Sequence, residues 1–191
     1  MTVATRITIL RILLIPVFVL FAIYYSQSVS QGSPEKWMKM AAITVFVIAS
    51  VSDFLDGWVA RRFKQRSRLG VVLDPIADKA LLFSAIITLC LTDWNYHLPI
   101  WFAVLVIARD AVILIGFAVV KHLCGHMEVH PSLLGKAATA MQMVAISWVM
   151  LEIQYPQYVV YLAGLVTLLS GMGYIIDGTR QMREHSQPLD H

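Results

Sequence analysis

The stretch from Val51 to Leu82 reads VSDFLDGWVARRFKQRSRLGVVLDPIADKALL and sets four aspartates between long apolar runs. Asp53 and Asp56 come before a short basic segment, and Asp74 and Asp78 come after it. Ionisable side chains within or beside hydrocarbon are costly, and where they occur they usually serve a function. The four aspartates are therefore the first candidate functional residues.

The composition of the whole chain is that of a membrane protein. Of its 191 residues, 58% are hydrophobic and only 14% are charged, whereas ordinary soluble domains are about 25% charged. Apolar windows of about 20 residues, the length that crosses a bilayer as a helix, recur along the sequence. This pattern argues against a soluble globule and predicts an all-α, polytopic membrane protein.

Six apolar segments are separated by short polar connections that contain Gly, Pro, Asn or Asp. We expect six transmembrane helices in a single domain covering 1–191. The predicted helices span about 7–26, 38–61, 71–92, 98–121, 132–152 and 157–178.

The distribution of Lys and Arg predicts the orientation. Ten of these residues fall at the N-terminus, the second connection, the end of the fourth helix and the tail, whereas the opposite face has only Lys36 and Lys39. Cytoplasmic loops carry the positive excess, so both termini and the basic connection should be cytoplasmic. The net charge of +3 fits attraction to anionic lipid headgroups. Nucleic acid is not an expected partner, because the basic residues lie beside the bilayer.

The spacing of the aspartates predicts that they converge. On a helix, residues at i, i+3, i+4 and i+7 share one face, and this is the spacing of Asp53, Asp56, Gly57 and Ala60. Asp74 and Asp78 are spaced i, i+4 on the next predicted helix. A connection of about ten residues makes the two helices expected antiparallel neighbours, with all four carboxylates near the cytoplasmic interface.

Four converging carboxylates need compensating cations, because they repel one another. Their hard oxygen ligands suit magnesium, manganese or calcium. The alternative is that each aspartate pairs with a nearby arginine or caps a helix end. A divalent-metal transporter would also use such residues, but it would spread them across the membrane depth rather than gather them at one end.

Basic residues beside these carboxylates indicate a phosphate-bearing substrate. Arg61 closes the second predicted helix, Arg109 lies within an apolar helix, and Lys136 opens the fifth. Metal ions and arginine side chains together neutralise phosphate oxygens, whereas a simple cation channel does not need these cations.

The pattern Asp53-x-x-Asp56-Gly57-x-x-Ala60-Arg61, eight residues, Gly70-x-x-x-Asp74-x-x-x-Asp78 resembles the full signature of the CDP-alcohol phosphotransferase family. Every spacing matches. The resemblance implies that an acceptor hydroxyl attacks the phosphorus attached to diacylglycerol in CDP-diacylglycerol, and that CMP leaves. It also implies a bacterial inner membrane location with a cytoplasmic active site, and commonly a homodimer.

By this resemblance, Asp53, Asp56, Asp74 and Asp78 would bind two Mg²⁺ or Mn²⁺ ions, and Asp78 would also be the general base. The nucleotide pocket would be formed by Thr8, Asp56, Gly57, Ala60, Arg61 and Gly70. The segment Thr8-Ile-Leu-Arg11 with Pro16 also resembles the family, but Thr5 stands where the family usually has Asn.

The acceptor's phosphate is expected to bind Arg109, Lys136 and Arg11. The segments IARDAVILIG and PSLLGKAATAMQ resemble those of phosphatidylglycerophosphate synthases and of CMP-forming cardiolipin synthases. The RILLIP opening resembles that of phosphatidylglycerophosphate synthases, and this resemblance implies glycerol 3-phosphate as acceptor. Phosphatidylglycerol is the first alternative, favoured by the Arg109-Asp110 pair, and inositol phosphate is the next. We expect Arg109 not to pair with Asp110, because adjacent helical side chains point about 100° apart.

Overall fold

A computed structural model describes the backbone of residues 3–63, 68–124 and 133–185, and the side chains of 8–52, 76–116, 118–119 and 133–179. These residues form six α-helices and no strand, which confirms the all-α prediction. The helices are α1 (Val3–Ser30), α2 (Lys36–Phe63), α3 (Arg68–Leu91), α4 (Ile100–Cys124), α5 (Leu133–Met150) and α6 (Pro156–His185).

The helix ends differ from the predicted ones for two reasons. Helices α1, α2 and α6 extend past the predicted 7–26, 38–61 and 157–178, because an apolar run marks where lipid can contact a helix and not where the helix stops. Helix α5 is shorter than the predicted 132–152. It ends at Met150, and Glu152 adopts a left-handed backbone conformation with φ of 54°.

Three helical segments in the described part of the chain are long and apolar enough to cross a membrane. They are Thr8–Ser30, Leu133–Met150 and Pro156–Thr179. This finding supports the prediction of a helical membrane protein.

The chain divides into two compact units. The first contains α1, α2, α3 and the segment Val149–Ile153, which includes the end of α5, and the second contains α4, most of α5, and α6. The single domain expected from the sequence stays a prediction.

In the first unit, α1 packs against both α2 and α3. Small side chains with no exposed surface lie along these contacts, among them Ala22, Ala42 and Ala85. Such residues let helix backbones approach closely. Aromatic rings fill the remaining space, with the centroids of Phe18 and Phe46 separated by 5.6 Å. These contacts fix the position of α1 against α3, which carries part of the candidate site.

The segment Val149–Ile153 contacts α1 and α2 through Glu152. The Lys39 ammonium lies 2.6 Å from the Glu152 carboxylate, and the Tyr25 hydroxyl donates to it at 3.0 Å. Burial alone would raise the pKa of Glu152, but hydrogen bonds from Lys39, Asn95 and Tyr25 outweigh burial and lower this pKa. These contacts also hold Glu152 in its left-handed conformation, which a residue with a side chain adopts only at an energetic cost.

In the second unit, α4 packs against α6. The absence of a side chain at Gly164 leaves room for the Trp101 indole, because a Cβ atom there would lie 2.9 Å from its Cζ3 atom and the indole would have to shift. The Trp101 indole stacks on Tyr161 with 5.7 Å between ring centroids. This close approach fixes α6 against α4, where Arg109 lies.

Candidate active site

The four aspartates occupy the helices predicted for them. Asp53 and Asp56 lie in the last three turns of α2, and Asp74 and Asp78 lie in the first three turns of α3. Helices α2 and α3 contact each other. The predicted connection of about ten residues is wrong, because the helices continue to Phe63 and Arg68 and only four residues separate them.

The other predicted residues of this stretch also lie in helices. Gly57, Ala60 and Arg61 belong to α2, and Gly70 belongs to α3. Their surroundings fall outside the described side chains, as do those of Asp53, Asp56 and Asp74. The nucleotide-binding role of this segment therefore stays a prediction.

Asp78 forms an ion pair with Arg11, from the beginning of α1. One terminal guanidinium nitrogen, Nη1, lies 2.5 Å from Oδ1 of Asp78. The Arg11 side chain has no exposed surface, whereas the Asp78 side chain is 42% exposed. The carboxylate compensates the buried cation on one side and stays accessible on the other. The alternative reading of the sequence, in which an aspartate pairs with an arginine, thus applies to Asp78.

Thr8 lies one helical turn before Arg11 and is also fully buried. Residues at i and i+3 share a helix face, and Arg11 contacts α3 from this face. The structure therefore places a hydroxyl and a cation together on the side of α1 that meets the Asp78 helix. The predicted nucleotide contact of Thr8 and the predicted acceptor contact of Arg11 are not tested by this arrangement.

The chemistry of the donor set fits a hard divalent cation. Four carboxylates on two contacting helices offer only oxygen ligands, which Mg²⁺ and Mn²⁺ prefer. Among the side chains that the structure describes, no three His, Cys, Asp or Glu residues form a cluster that could hold a metal. Asp78 is the one predicted ligand among them.

In the second unit, Arg109 is buried within a polar cluster. Its Nη1 donates to Oδ1 of Asp110 at 2.7 Å, and its Nη2 donates to the Ser170 hydroxyl at 2.8 Å. Its guanidinium carbon lies 5.5 Å from the centroid of the Tyr174 ring. The expectation that Arg109 would not pair with Asp110 is wrong. The arginine side chain is long enough to bend its guanidinium back to an adjacent carboxylate.

Lys136, the other predicted acceptor ligand in the second unit, lies in the first turns of α5 and is exposed. Deeper along α5, the buried Gln142 side chain donates to the Thr167 hydroxyl at 2.9 Å. The structure thus shows Lys136 accessible and Arg109 enclosed. The acceptor-binding role of both residues stays a prediction.

Sequence reasoning missed the residues on α6 that contact Gln142 and Arg109. Thr167, Ser170 and Tyr174 are spaced i, i+3 and i+7, so they share one helix face. Thr167 and Ser170 are also buried inside a largely apolar helix. Polar residues at helical spacing in an apolar segment are a signal that could have identified them.

The family model described as CDP-alcohol phosphatidyltransferase matches residues 1–169, which include α1 to α5 and the complete aspartate signature. The chain belongs to this family. The matched range of the CDP-alcohol phosphatidyltransferase model ends just before Ser170.

Proteins similar to this chain are found in Escherichia coli and Shigella. They include proteins of Escherichia coli strain K12, Shigella sonnei strain Ss046 and Shigella flexneri serotype 5b strain 8401. Each is 34% identical to this chain over 178 residues, covering 90% of the chain and 91% of the relative. All three are named CDP-diacylglycerol–glycerol-3-phosphate 3-phosphatidyltransferase.

Proposed function

We propose that the chain transfers the phosphatidyl group of CDP-diacylglycerol to glycerol 3-phosphate and releases CMP. The observation that carries this proposal is that the chain is 34% identical over 90% of its length to proteins named for this reaction. The complete signature from Asp53 to Asp78 agrees with it. The ion pair between Arg11 and Asp78 supports it, because it holds one signature carboxylate at a defined place in the first unit.

In the proposed reaction, Asp78 takes the proton of the acceptor hydroxyl. The hydroxyl oxygen forms a bond to the phosphorus that carries diacylglycerol, the bond from that phosphorus to the CMP oxygen breaks, and CMP leaves with the electron pair. A general base must be within hydrogen-bond reach of the proton that it accepts. The exposed part of the Asp78 carboxylate is available for this contact, while Arg11 fixes the rest of the carboxylate.

The four aspartates would hold two Mg²⁺ or Mn²⁺ ions, with Asp53, Asp56 and Asp74 as ligands and Asp78 contributing to the second ion. When bound, such ions neutralise the diphosphate and make its phosphorus a better electrophile. The carboxyl oxygens of α2 and α3 fit this demand by their chemistry.

The nucleotide would bind beside these carboxylates, in a pocket that includes Thr8 and Arg61. Gly57, Ala60 and Gly70 would let the cytidine approach the helix backbones, because they have small side chains or none. Arg11, Arg109 and Lys136 would bind the phosphate of the acceptor.

We place the chain in a bacterial inner membrane, with six membrane-spanning helices, cytoplasmic termini and an active site that faces the cytoplasm. The three apolar segments of α1, α5 and α6 and the one-sided distribution of Lys and Arg support this placement. A homodimer is part of the same proposal.

The acceptor is tested by CMP release. Detergent-solubilised protein is incubated with Mg²⁺ or Mn²⁺, CDP-diacylglycerol and radiolabelled glycerol 3-phosphate, and separately with phosphatidylglycerol or inositol phosphate. We expect CMP and labelled lipid with glycerol 3-phosphate. Release only with phosphatidylglycerol would make the chain a CMP-forming cardiolipin synthase. A chain that releases no CMP with any acceptor but moves divalent ions across vesicles would be a transporter.

The role of Asp78 is tested by Asp78→Asn. We expect this variant to lose turnover because the amide cannot take a proton, and to keep most of its affinity for CDP. Asp93→Asn is the matched control, since Asp93 is an exposed aspartate that accepts a hydrogen bond from Ser30 in the same unit. Turnover retained by Asp78→Asn would exclude Asp78 as the base.

A further inference from the structure

We propose that Ser170, together with Asp110, positions the Arg109 guanidinium for the phosphate of the acceptor alcohol. The inference rests on the proposed function, in which Arg109 binds this phosphate. It adds a positioning residue that lies beyond the range matched by the family model.

The first argument is that the guanidinium is held from two helices. Asp110 accepts from Nη1 at 2.7 Å on α4, and Ser170 accepts from Nη2 at 2.8 Å on α6. The Tyr174 ring lies on the same guanidinium at 5.5 Å. Arg109 is only 8% exposed, and hydrogen bonds are electrostatically stronger in such surroundings than in water. The guanidinium is therefore fixed in position and orientation.

The second argument is that the bonds to Asp110 and Ser170 leave other N–H donors of the Arg109 guanidinium available. A guanidinium carries five N–H groups, and the bonds to Asp110 and Ser170 use two of them. Nε of Arg109 is buried without a hydrogen-bond partner among the described residues. The remaining donors lie in one plane and suit the oxygens of a phosphate, which arginine binds in a bidentate manner.

The third argument is that a purely structural role does not require this arrangement. Gln142 and Thr167 connect α5 to α6 with a single neutral hydrogen bond of 2.9 Å. A cation in an apolar helix is far more costly than a neutral amide. Asp110 compensates the charge of Arg109 when no ligand is bound. Without such compensation, a buried charge is strongly destabilising. The residues of this cluster therefore suit a preorganised anion-binding site better than a contact that only connects two helices.

The experiment compares Ser170→Ala with Thr167→Val. Each substitution removes one buried hydrogen bond that connects α6 to another helix of the second unit. Each should lower the melting temperature, Ser170→Ala by more because its bond is to a charged group. For Ser170→Ala we expect the KM for the acceptor to rise about tenfold, near the lower end of the effect of losing a hydrogen bond to a charged group. The KM for CDP-diacylglycerol and kcat should stay within about twofold, because uniform binding of the acceptor is lost.

Thr167→Val should leave both KM values unchanged. Equal changes in the acceptor KM for the two variants, or no change in Ser170→Ala, would overturn the proposal. Asp110 is tested in parallel, with Asp110→Glu expected to keep more acceptor affinity than Asp110→Ala because a carboxylate is retained.

The result is separable from the proposed function. If the wild-type protein uses phosphatidylglycerol or inositol phosphate, the proposed acceptor is wrong, and the same KM comparison is made with that phosphate-bearing acceptor. If no acceptor supports CMP release, thermal stabilisation by glycerol 3-phosphate and by inorganic phosphate decides. Stabilisation of the wild type that weakens in Ser170→Ala but not in Thr167→Val supports the inference, and no stabilisation of the wild type overturns it.

Discussion

Unequal exposure of Arg11 and Asp78 predicts an unequal response to removing either charge. Arg11 is fully buried and the Asp78 side chain is 42% exposed. Replacing Asp78 by Asn removes a carboxylate from a cation that lies inside the helices. Replacing Arg11 by Met leaves a carboxylate that water can still solvate. Asp78→Asn should therefore destabilise the protein more than Arg11→Met, although it changes far fewer atoms.

The magnitudes follow from the two environments. Removing the partner of a buried charge typically costs at least about 3 kcal/mol, which corresponds to a loss of about 6–12 °C in melting temperature for a chain of this size. Removing one hydrogen bond from a partly hydrated charged group costs about 1.5 kcal/mol, or about 3–6 °C. The double variant also removes the buried cation, so it should melt closer to the wild type than Asp78→Asn alone.

The assay is thermal unfolding in detergent, with a chelator in every sample so that no divalent cation binds the remaining aspartates. Asp93→Asn serves as the control for an exposed aspartate. The reasoning is refuted if Arg11→Met is the more destabilising variant. It is also refuted if the double variant loses the sum of the two single losses, because groups that form a pair should not behave additively.

Other predictions concern the packing and the turn. Glu152→Ala should lower the melting temperature by about 4–8 °C by removing hydrogen bonds worth about 2 kcal/mol, and Glu152→Gly should lose about 1 kcal/mol less because glycine adopts the φ of 54° without strain. The pKa of Glu152 is lowered from its ordinary 4.5, so its stabilisation is complete above that pH and declines as the pH falls below it. The difference in melting temperature between wild type and Glu152→Gln should shrink accordingly on acidification, and a constant difference would contradict this. Gly164→Ala should destabilise by about 1–3 kcal/mol through its clash with Trp101, whereas Gly173→Ala, in open space on the same helix, should be neutral or stabilising.

The helices could be predicted from the sequence because apolar runs and turn residues are local signals. The order and number of helices among the described residues match the six expected segments. Their ends could not be predicted from hydropathy, since helix hydrogen bonding continues into polar residues such as those after Ile176. The turn at Glu152 was missed because its left-handed backbone is stabilised by Lys39 and Tyr25, which are more than 100 positions away in the sequence.

In the candidate site, too, local features could be predicted from the sequence and contacts between distant residues could not. The spacing from Asp53 to Asp78 is local and is sufficient to place the aspartates on two helices. The partner of Asp78 is 67 positions away, and only the packing of α1 on α3 brings Arg11 to it. Helical periodicity indicates which residues share a face, but it carries no information about which face meets another helix.

The two buried arginines show how a charge inside apolar helices can be compensated and still serve a function. Arg11 is compensated by a carboxylate that is partly open, and Arg109 by one that is enclosed. In the first case the accessible group is the carboxylate, which suits a base that must meet substrate. In the second case both partners are enclosed, and the cation is also held by Ser170 and Tyr174, which suits a guanidinium positioned for an anion. The same ion pair can therefore present either charge, and the exposure of the partners determines which one.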